Sequence, residues 1–150
     1  MATFISRSPA ETRQLGEQWG REVQSGWVIG LSGDLGAGKT ELVKGIARGL
    51  GATDCVHSPS FSLIHEYGGG RLPFFHLDLY RLNKPEQIVG AGLEEYFCRP
   101  KGVAVIEWAE RWFGEGRSFE FRVPSFKFKR VNIEVLSERE RRISYEDFGA

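Results

Sequence analysis

The amino-acid sequence predicts an α/β fold, with a mainly parallel sheet flanked by helices and one antiparallel hairpin. Residues 27–31 form a short apolar segment that leads into a glycine-rich stretch, and apolar residues at helical spacing follow. A second apolar run, residues 103–106, consists mostly of β-branched side chains and is typical of a buried parallel strand. Three consecutive glycines separate two strand-like segments, residues 61–67 and 72–77, and so predict the hairpin.

The first helix is predicted from a capping pattern. Ser8 is a suitable N-cap, Pro9 favours the first helical position, and Glu11 follows three residues after the cap. Apolar residues then recur every four positions, which gives the helix one buried stripe up to about residue 24.

The other predicted elements are the helix after the glycine-rich stretch, short helices within residues 85–98, helical turns at 108–113, and strands at 119–123 and 130–136. The run that contains Arg139, Arg141 and Arg142 is interleaved with glutamates and is expected to be a solvated segment.

Length and composition favour an ordinary globular protein with one domain, residues 1–150. Hydrophobic residues make up 41% of the chain and charged residues 27%. The formal net charge is zero, so composition offers no support for direct binding to nucleic acid or to a membrane. Cys55 and Cys98 lack metal-ligand spacing, and no segment has the character of a signal or a membrane span. We therefore expect a cytoplasmic protein.

Residues 33–40, with the sequence Gly-Asp-Leu-Gly-Ala-Gly-Lys-Thr, match the phosphate-binding pattern G-x-x-x-x-G-K-[ST] at every fixed position. They lie between a predicted strand and a predicted helix, which is the context that such a loop requires. Glycines let the backbone approach a phosphate, and the amides at the helix N-terminus form an anion-binding cradle. Lys39 is expected to reach the β- and γ-phosphates, and the Thr40 hydroxyl to bind Mg²⁺. The motif predicts a P-loop NTPase-type domain that binds a nucleotide with Mg²⁺.

Two acidic residues end apolar strands and are candidates for the acid that P-loop enzymes carry beside their Mg²⁺. Glu107 follows the run 103–106 and is the better candidate, because its strand is predicted to be fully buried. It should hold Mg²⁺ directly or through water. Asp78 follows residues 74–77, and two roles remain open for it: completing the metal shell or orienting the attacking water. An exposed acid at a strand end is also common, so each assignment needs structural support.

Other segments carry weaker signals. Ser58 and Ser60 follow the P-loop helix, where a switch hydroxyl that senses the γ-phosphate often lies, although turn-forming serines are the commoner explanation of the pattern. Residues 83–86, Asn-Lys-Pro-Glu, resemble a guanine-reading motif but lack its strand context, so we expect a turn leading into a helix. His65 and His76 lie in predicted strands without metal-ligand spacing, and we interpret both as structural.

Five ordered segments give the chain a specific family resemblance. They are residues 33–40, Ser58-Pro59-Ser60-Phe61, His76-Leu77-Asp78-Leu79-Tyr80-Arg81-Leu82, Gly92-Leu93-Glu94-Glu95-Tyr96 and Ile106-Glu107-Trp108-Ala109-Glu110. In this order they resemble the TsaE (YjeE-type) ATPases of bacterial tRNA threonylcarbamoyladenosine biosynthesis, over about residues 8–136. The third segment together with the strand-end Glu-Trp pair is much more specific than the P-loop alone.

The resemblance implies an ATPase that binds ATP and Mg²⁺, turns over slowly alone and works with homologues of TsaD and TsaB. Those partners would install the threonylcarbamoyl group on tRNA, and the ATPase would cycle their complex; direct tRNA contact stays open. The nucleotide-binding residues that it implies are Asp34, Leu35, Gly36, Ala37, Gly38, Lys39, Thr40, Glu41, Ser60 and Trp108. The implied catalytic residues are Lys39, Asp78 and Glu107, and the implied Mg²⁺ ligands are Thr40, Asp78 and Glu107.

One departure from the family pattern concerns the residue after Thr40. The family often has a second threonine there, whose hydroxyl can bond the α-phosphate, whereas this chain has Glu41. A carboxylate would repel the phosphate unless it turns away. We therefore predict that a Glu41→Thr variant binds ATP more tightly than the unmodified chain.

Two other functions are compatible with the P-loop. A small-molecule kinase shares the motif and the chain length, but usually carries a lid with several arginines, and Arg71 and Arg81 are isolated. A nucleotide-gated binding module would keep Lys39 without needing Asp78 or Glu107. Release of phosphate without a phosphorylated product would favour the ATPase over the kinase.

Overall fold

The structure is a computed structural model that describes residues 2–33, 38–52, 56, 63–82, 84–93, 95–98, 100–113 and 127–148. The predicted strand at 119–123 and the serines at 58 and 60 lie outside these ranges. In chain order the elements are β1 (Ala2–Ser6), α1 (Pro9–Glu22), β2 (Val28–Gly33), α2 (Lys39–Leu50), β3 (Ile64–Tyr67), β4 (Phe74–Asp78), α3 (Pro85–Gly90), α4 (Glu95–Cys98), β5 (Val103–Glu107), α5 (Glu110–Phe113), β6 (Phe128–Val135) and β7 (Arg141–Phe148).

The strands form a seven-stranded sheet in the order β1-β7-β6-β2-β5-β4-β3. The four central strands, β6, β2, β5 and β4, run parallel, and β3 pairs antiparallel with β4 as the predicted hairpin. Strands β7 and β1 extend the other edge by antiparallel pairing. The predicted α/β class, the parallel centre and the hairpin are confirmed, and the antiparallel edge makes the sheet more mixed than expected.

Strand β7 corrects the interpretation of the arginine-rich run as a solvated segment, because the strand begins at Arg141. Arg139 and Arg142 are exposed, but Ile143 and Tyr145 on the same stretch pack into the core. The charges at the start of the strand therefore concealed its alternating pattern. Strand β1 also escaped prediction, since it is only five residues long and mostly exposed.

The N-termini of α1 and α2 are each fixed by particular residues. Ser8 caps α1 as predicted, its side chain accepting a hydrogen bond from the Glu11 amide at 3.2 Å. The Thr12 hydroxyl lies 2.7 Å from the buried hydroxyl of Ser6, which ties β1 to the first turn of α1. Gly38 precedes α2 with a φ of 101°, a backbone conformation that glycine adopts without steric cost.

Helices cover the two faces of the sheet in different ways. On one face, α1 and α2 pack against the sheet, and Trp19, Leu42 and Ile46 are buried in this layer. On the opposite face, Ile88 of α3 and the following Leu93 belong to a second core over β4, β5 and β2. None of the described helices is both long and apolar enough to cross a bilayer.

Helices α1 and α2 pack backbone to backbone along a contact that we call the glycine seam, formed by Gly16, Gly20, Gly45 and Gly49. A Cβ atom on either glycine of α1 would overlap the backbone oxygen of Leu42 or Ile46. A Cβ atom on either glycine of α2 would overlap the backbone oxygen of Arg13 or Glu17. Because α2 carries the last two residues of the phosphate-binding motif, the seam sets where that end of the motif lies.

Gly45→Ala is expected to lower the free energy of unfolding by about 3 kcal/mol, because the added methyl group meets a backbone carbonyl that cannot rotate away. Gly90→Ala is the matched control, since a Cβ atom there meets nothing within 4 Å. Urea denaturation of both variants measures the difference. Equal stability of the Gly45→Ala and Gly90→Ala proteins would contradict the tight seam.

Candidate functional site

Two buried acids lie side by side at one edge of the sheet. Asp78 is the last residue of β4 and Glu107 the last residue of β5, and they are register partners in the parallel pairing of these strands. Each residue is only 4% exposed. Parallel strands end at the same edge of a sheet, so both predicted acids reach the edge where β2 leads into the glycine-rich loop.

Different groups hold the two acids. The backbone amide of Tyr80 donates a hydrogen bond to Asp78 Oδ1 at 2.9 Å, in the two-residue turn that aspartate often forms. Glu107 Oε2 lies 2.6 Å from His76 Nε2, and both side chains are almost wholly removed from solvent. The orientation of Asp78 thus has a local support, whereas that of Glu107 depends on a side chain from the neighbouring strand.

The contact between His76 and Glu107 is one that the sequence did not predict. The spacing of His76 suits no metal site and indicates a structural residue, and the structure places its ring against Glu107. A signal was present in the sequence: alternation along β4 puts His76 on the same face as Asp78, the face that carries a candidate acid. His65, interpreted in the same way, lies opposite His76 in the antiparallel register of β3 and β4.

Lys39 is the first residue of α2, and its ammonium group points back to the end of β2. Nζ donates a hydrogen bond to the backbone oxygen of Gly33 at 2.5 Å and lies 4.2 Å from the centre of the Trp108 ring. Lys39 is buried, and a carbonyl oxygen and an aromatic face are groups that stabilise a desolvated cation. The start of α2 and the end of β5 therefore meet at this ammonium group.

Trp108 follows Glu107 in a backbone conformation that is rare for a bulky residue, with a φ of 60°. The next amide, that of Ala109, donates to the backbone oxygen of Leu31 at 3.1 Å and holds the turn against β2. The Tyr80 ring lies 5.0 Å from the Trp108 ring, so the loops after β4 and β5 also touch. Strained conformations that persist because their surroundings hold them tend to cluster at functional sites.

Thr40 is the second residue of α2 and is half-buried. Asp34, Leu35, Gly36, Ala37 and Ser60 lie outside the described residues, and their assignments stay predictions. Within the described part of the chain, no group of three or more His, Cys, Asp or Glu side chains is arranged to hold a metal ion. The donors at hand are two carboxylates and a hydroxyl, hard oxygen ligands that suit Mg²⁺ when water and phosphate oxygens complete its shell.

Glu41 is turned towards α1. Its Oε2 accepts a hydrogen bond from Arg13 Nη1 at 2.6 Å, and its Oε1 accepts one from Lys44 Nζ at 3.3 Å. Burial raises the pKa of Glu41, but the hydrogen bonds from Arg13 and Lys44 outweigh burial and hold its pKa below the ordinary value of 4.5. Two cations therefore offset the charge of this carboxylate, so its repulsion of a phosphate is smaller than the sequence alone suggests.

A cavity of about 150 Å³ opens beside the N-terminus of α2. Its lining residues are Pro9, Thr12, Gly38, Glu41, Glu138, Arg139 and Arg141. Arg141 Nη1 donates to the backbone oxygens of Ser137 at 2.7 Å and Glu140 at 2.9 Å, which fixes the β6–β7 turn that walls the cavity. A larger cavity, about 410 Å³, is lined mainly by β6 and β7 residues, and neither acid nor Lys39 is among its lining residues.

Comparison with known proteins gives a consistent result. Residues 6–143 match the family model of the threonylcarbamoyl adenosine biosynthesis protein TsaE. The tRNA threonylcarbamoyladenosine biosynthesis protein TsaE of Bacillus subtilis is 37% identical over 95% of this chain and 83% of its own length. The protein of the same name from Nostoc sp. is 48% identical over 74% of this chain and 70% of its own length. A crystal structure of Bacillus subtilis YdiB matches with a TM-score of 0.74 and 34% identity, covering 96% of this chain and 83% of that chain.

The ion pair of Glu41 predicts a pH-dependent contribution to stability. Because the pKa of Glu41 is lower in the folded chain, the pair stabilises the fold above about pH 4.5 and is lost as pH falls through the folded-state pKa. Glu41→Gln is expected to be less stable near neutral pH by at most about 1 kcal/mol, since the paired side chains are partly exposed. Urea denaturation should show a smaller difference between the two proteins at about pH 3 than at neutral pH. A stability difference that grows on acidification would contradict the pairing.

Proposed function

Because the chain belongs to the TsaE family of threonylcarbamoyl adenosine biosynthesis proteins, we propose that it is a Mg²⁺-dependent ATPase that supports threonylcarbamoyladenosine modification of tRNA next to the anticodon. It hydrolyses ATP slowly by itself. It acts by cycling a complex of TsaD and TsaB homologues, and does not transfer the threonylcarbamoyl group. It meets tRNA through that complex in the cytoplasm.

One observation carries the ATPase part of the proposal. Asp78 and Glu107 are buried register partners at the ends of adjacent parallel strands, and Lys39 lies against the residue that follows Glu107. Burying two carboxylates costs free energy unless a cation or hydrogen bonds compensate them. A binding module that only senses nucleotide would not need this pair, whereas hydrolysis of a phosphoanhydride uses acids for metal binding and for orienting water.

In this proposal Lys39 holds the β- and γ-phosphates. The oxygen of Gly33 and the face of Trp108 keep its ammonium group at the edge where the acids end, so the cation is already placed for an anion. The amides at the start of α2 add donors, because the first turn of a helix has unpaired N–H groups. Truncating Trp108 would therefore loosen Lys39 as well as remove an aromatic surface.

Thr40, Glu107 and Asp78 are the residues that would hold Mg²⁺ together with the phosphates. The ion would neutralise charge that develops on the phosphate oxygens during hydrolysis. Thr40 is the second residue of α2, and the two carboxylates lie at the ends of β4 and β5. Asp78, which the Tyr80 amide orients, either completes the metal shell or orients the attacking water, and Glu107 holds the ion directly or through water.

The cavity beside Gly38 lies at the N-terminus of α2 and extends to the β6–β7 turn, and it is lined by two cations, Arg139 and Arg141, and two acids, Glu41 and Glu138. Arg141 Nε is 4.0 Å from the position that a Cβ atom on Gly38 would take, so the guanidinium group lies close to the end of the phosphate-binding motif.

Slow hydrolysis by the chain alone would follow if a partner protein supplies the group that stabilises charge in the transition state.

The decisive experiment measures phosphate release from MgATP by the purified chain, with and without the matching TsaD and TsaB homologues. We expect slow release alone and strong stimulation by the pair. Lys39→Ala should abolish both, whereas Lys101→Ala, an exposed lysine at the other end of β5, is the matched control and should behave as the unmodified chain. Phosphate transfer to an acceptor would instead indicate a kinase, and ATP binding without release would indicate a binding module.

The salt bridge between Arg13 and Glu41 predicts a coupled effect on nucleotide affinity. Arg13→Met leaves the Glu41 charge less compensated near the phosphate-binding motif, so ADP binding should weaken by about two- to fivefold, equivalent to about 0.5–1 kcal/mol. The double variant Arg13→Met/Glu41→Gln removes the charge as well and should regain the lost affinity. Titration with a fluorescent ADP analogue measures both. A double variant as weak as Arg13→Met would show that Arg13 acts in some other way.

A further inference from the structure

We infer that His76 is a positioning residue for Glu107: its ring holds one carboxylate oxygen and thereby keeps the other in a single orientation towards metal or water. The inference rests on the proposed ATPase function, in which Glu107 has such a role. His76 belongs to no part of the phosphate-binding motif, and it comes from β4 whereas Glu107 comes from β5.

The contact itself is short and shielded from solvent. His76 Nε2 and Glu107 Oε2 are 2.6 Å apart, with side-chain exposures of 0% and 5%. Since water cannot compete at this depth, the hydrogen bond restricts the side-chain torsions of Glu107 more strongly than a surface contact would. The ring donates from Nε2 when Glu107 is ionised, because a carboxylate only accepts hydrogen bonds.

The His76 ring is held in turn by its neighbours on β3 and β4. Its Nδ1 lies 3.5 Å from the Tyr67 hydroxyl, which lies 3.3 Å from His65 Nδ1. Both contacts are long, but a hydroxyl that donates to Nδ1 favours the ring form with hydrogen on Nε2. The buried rings of Tyr67 and Phe74 also lie 6.1 and 6.4 Å from the ring of His76, so the imidazole has aromatic neighbours as well as polar ones.

The two acids differ in a way that makes the role of His76 testable. Asp78 is oriented by a backbone amide two residues further along, and this bond does not involve His76. Lys39 is held by Gly33 and Trp108, also without His76. Loss of the imidazole should therefore affect the step in which Glu107 acts, while the groups that hold the phosphates keep their places.

The test compares two variants, His76→Gln and His76→Asn, whose side chains carry the same amide group at different distances from the backbone. The amide nitrogen of glutamine can occupy the place of His76 Nε2, whereas the amide of asparagine ends nearer to the place of Nδ1. We expect His76→Asn to lower kcat by about 10- to 100-fold, the effect typical of removing a partner that orients a metal-site ligand. His76→Gln should retain clearly more turnover, and the affinity of both variants for an ADP analogue should equal that of the unmodified chain.

A second measurement needs no substitution at His76. Nitrogen-15 NMR of the unmodified chain should show hydrogen on Nε2 of His76, with a signal that shifts in the Glu107→Gln variant. A signal that stays the same in the Glu107→Gln variant would overturn the inference, because Nε2 would then make no hydrogen bond with the side chain of Glu107. This measurement decides the question even if His76→Asn does not fold.

The outcomes separate this inference from the proposed function. If the unmodified chain releases no phosphate with or without its partners, the ATPase proposal fails, and the NMR result still reports on the pair. If the chain is active and His76→Asn has the parental kcat, the positioning role is overturned and the ATPase stands. Equal loss of kcat in the glutamine and asparagine variants would likewise overturn it, because only glutamine restores a donor at Nε2.

Discussion

The parallel pairing of β2, β5 and β4 is the constraint on which the candidate site depends. Strands that run in the same direction end at the same edge, so residues far apart in sequence arrive together there without any loop having to place them. Asp78 and Glu107 become neighbours because their strands end in register. The same pairing brings the end of β2 alongside, with the Gly33 carbonyl that receives Lys39.

The residues of the candidate site are held by different kinds of contact on its sheet side and on its helix side. On the sheet side, side chains and backbone groups hold each acid: an imidazole for Glu107 and an amide for Asp78. On the helix side, α2 is placed by close backbone packing against α1, and the Arg13–Glu41 ion pair adds a polar contact at the start of the helix. Trp108 joins the sides, since its backbone continues β5 and its ring receives the Lys39 ammonium group.

The features that the sequence predicted correctly are those that depend on residues close together in the chain. The phosphate-binding pattern, the Ser8 cap and the buried strand before Glu107 are local, and the structure agrees with the cap and the strand. The partners of Glu41 and Glu107 were not predictable in this way, because Arg13 and His76 lie 28 and 31 residues away and meet these acids only through helix packing and strand register. Strand β7 was missed because charged residues at its start disguise the alternation of Ile143 and Tyr145.

The glycine seam has a mechanical consequence for the whole α1–α2 layer. Where a methyl group would overlap a carbonyl oxygen, the helices have no slack between them, and neither can slide or rotate against the other without opening the contact. The two helices must therefore move together as one rigid body. Any displacement at the Lys39 end of α2 is carried through α1 to Thr12, and from the Thr12 hydroxyl to Ser6 of the edge strand β1.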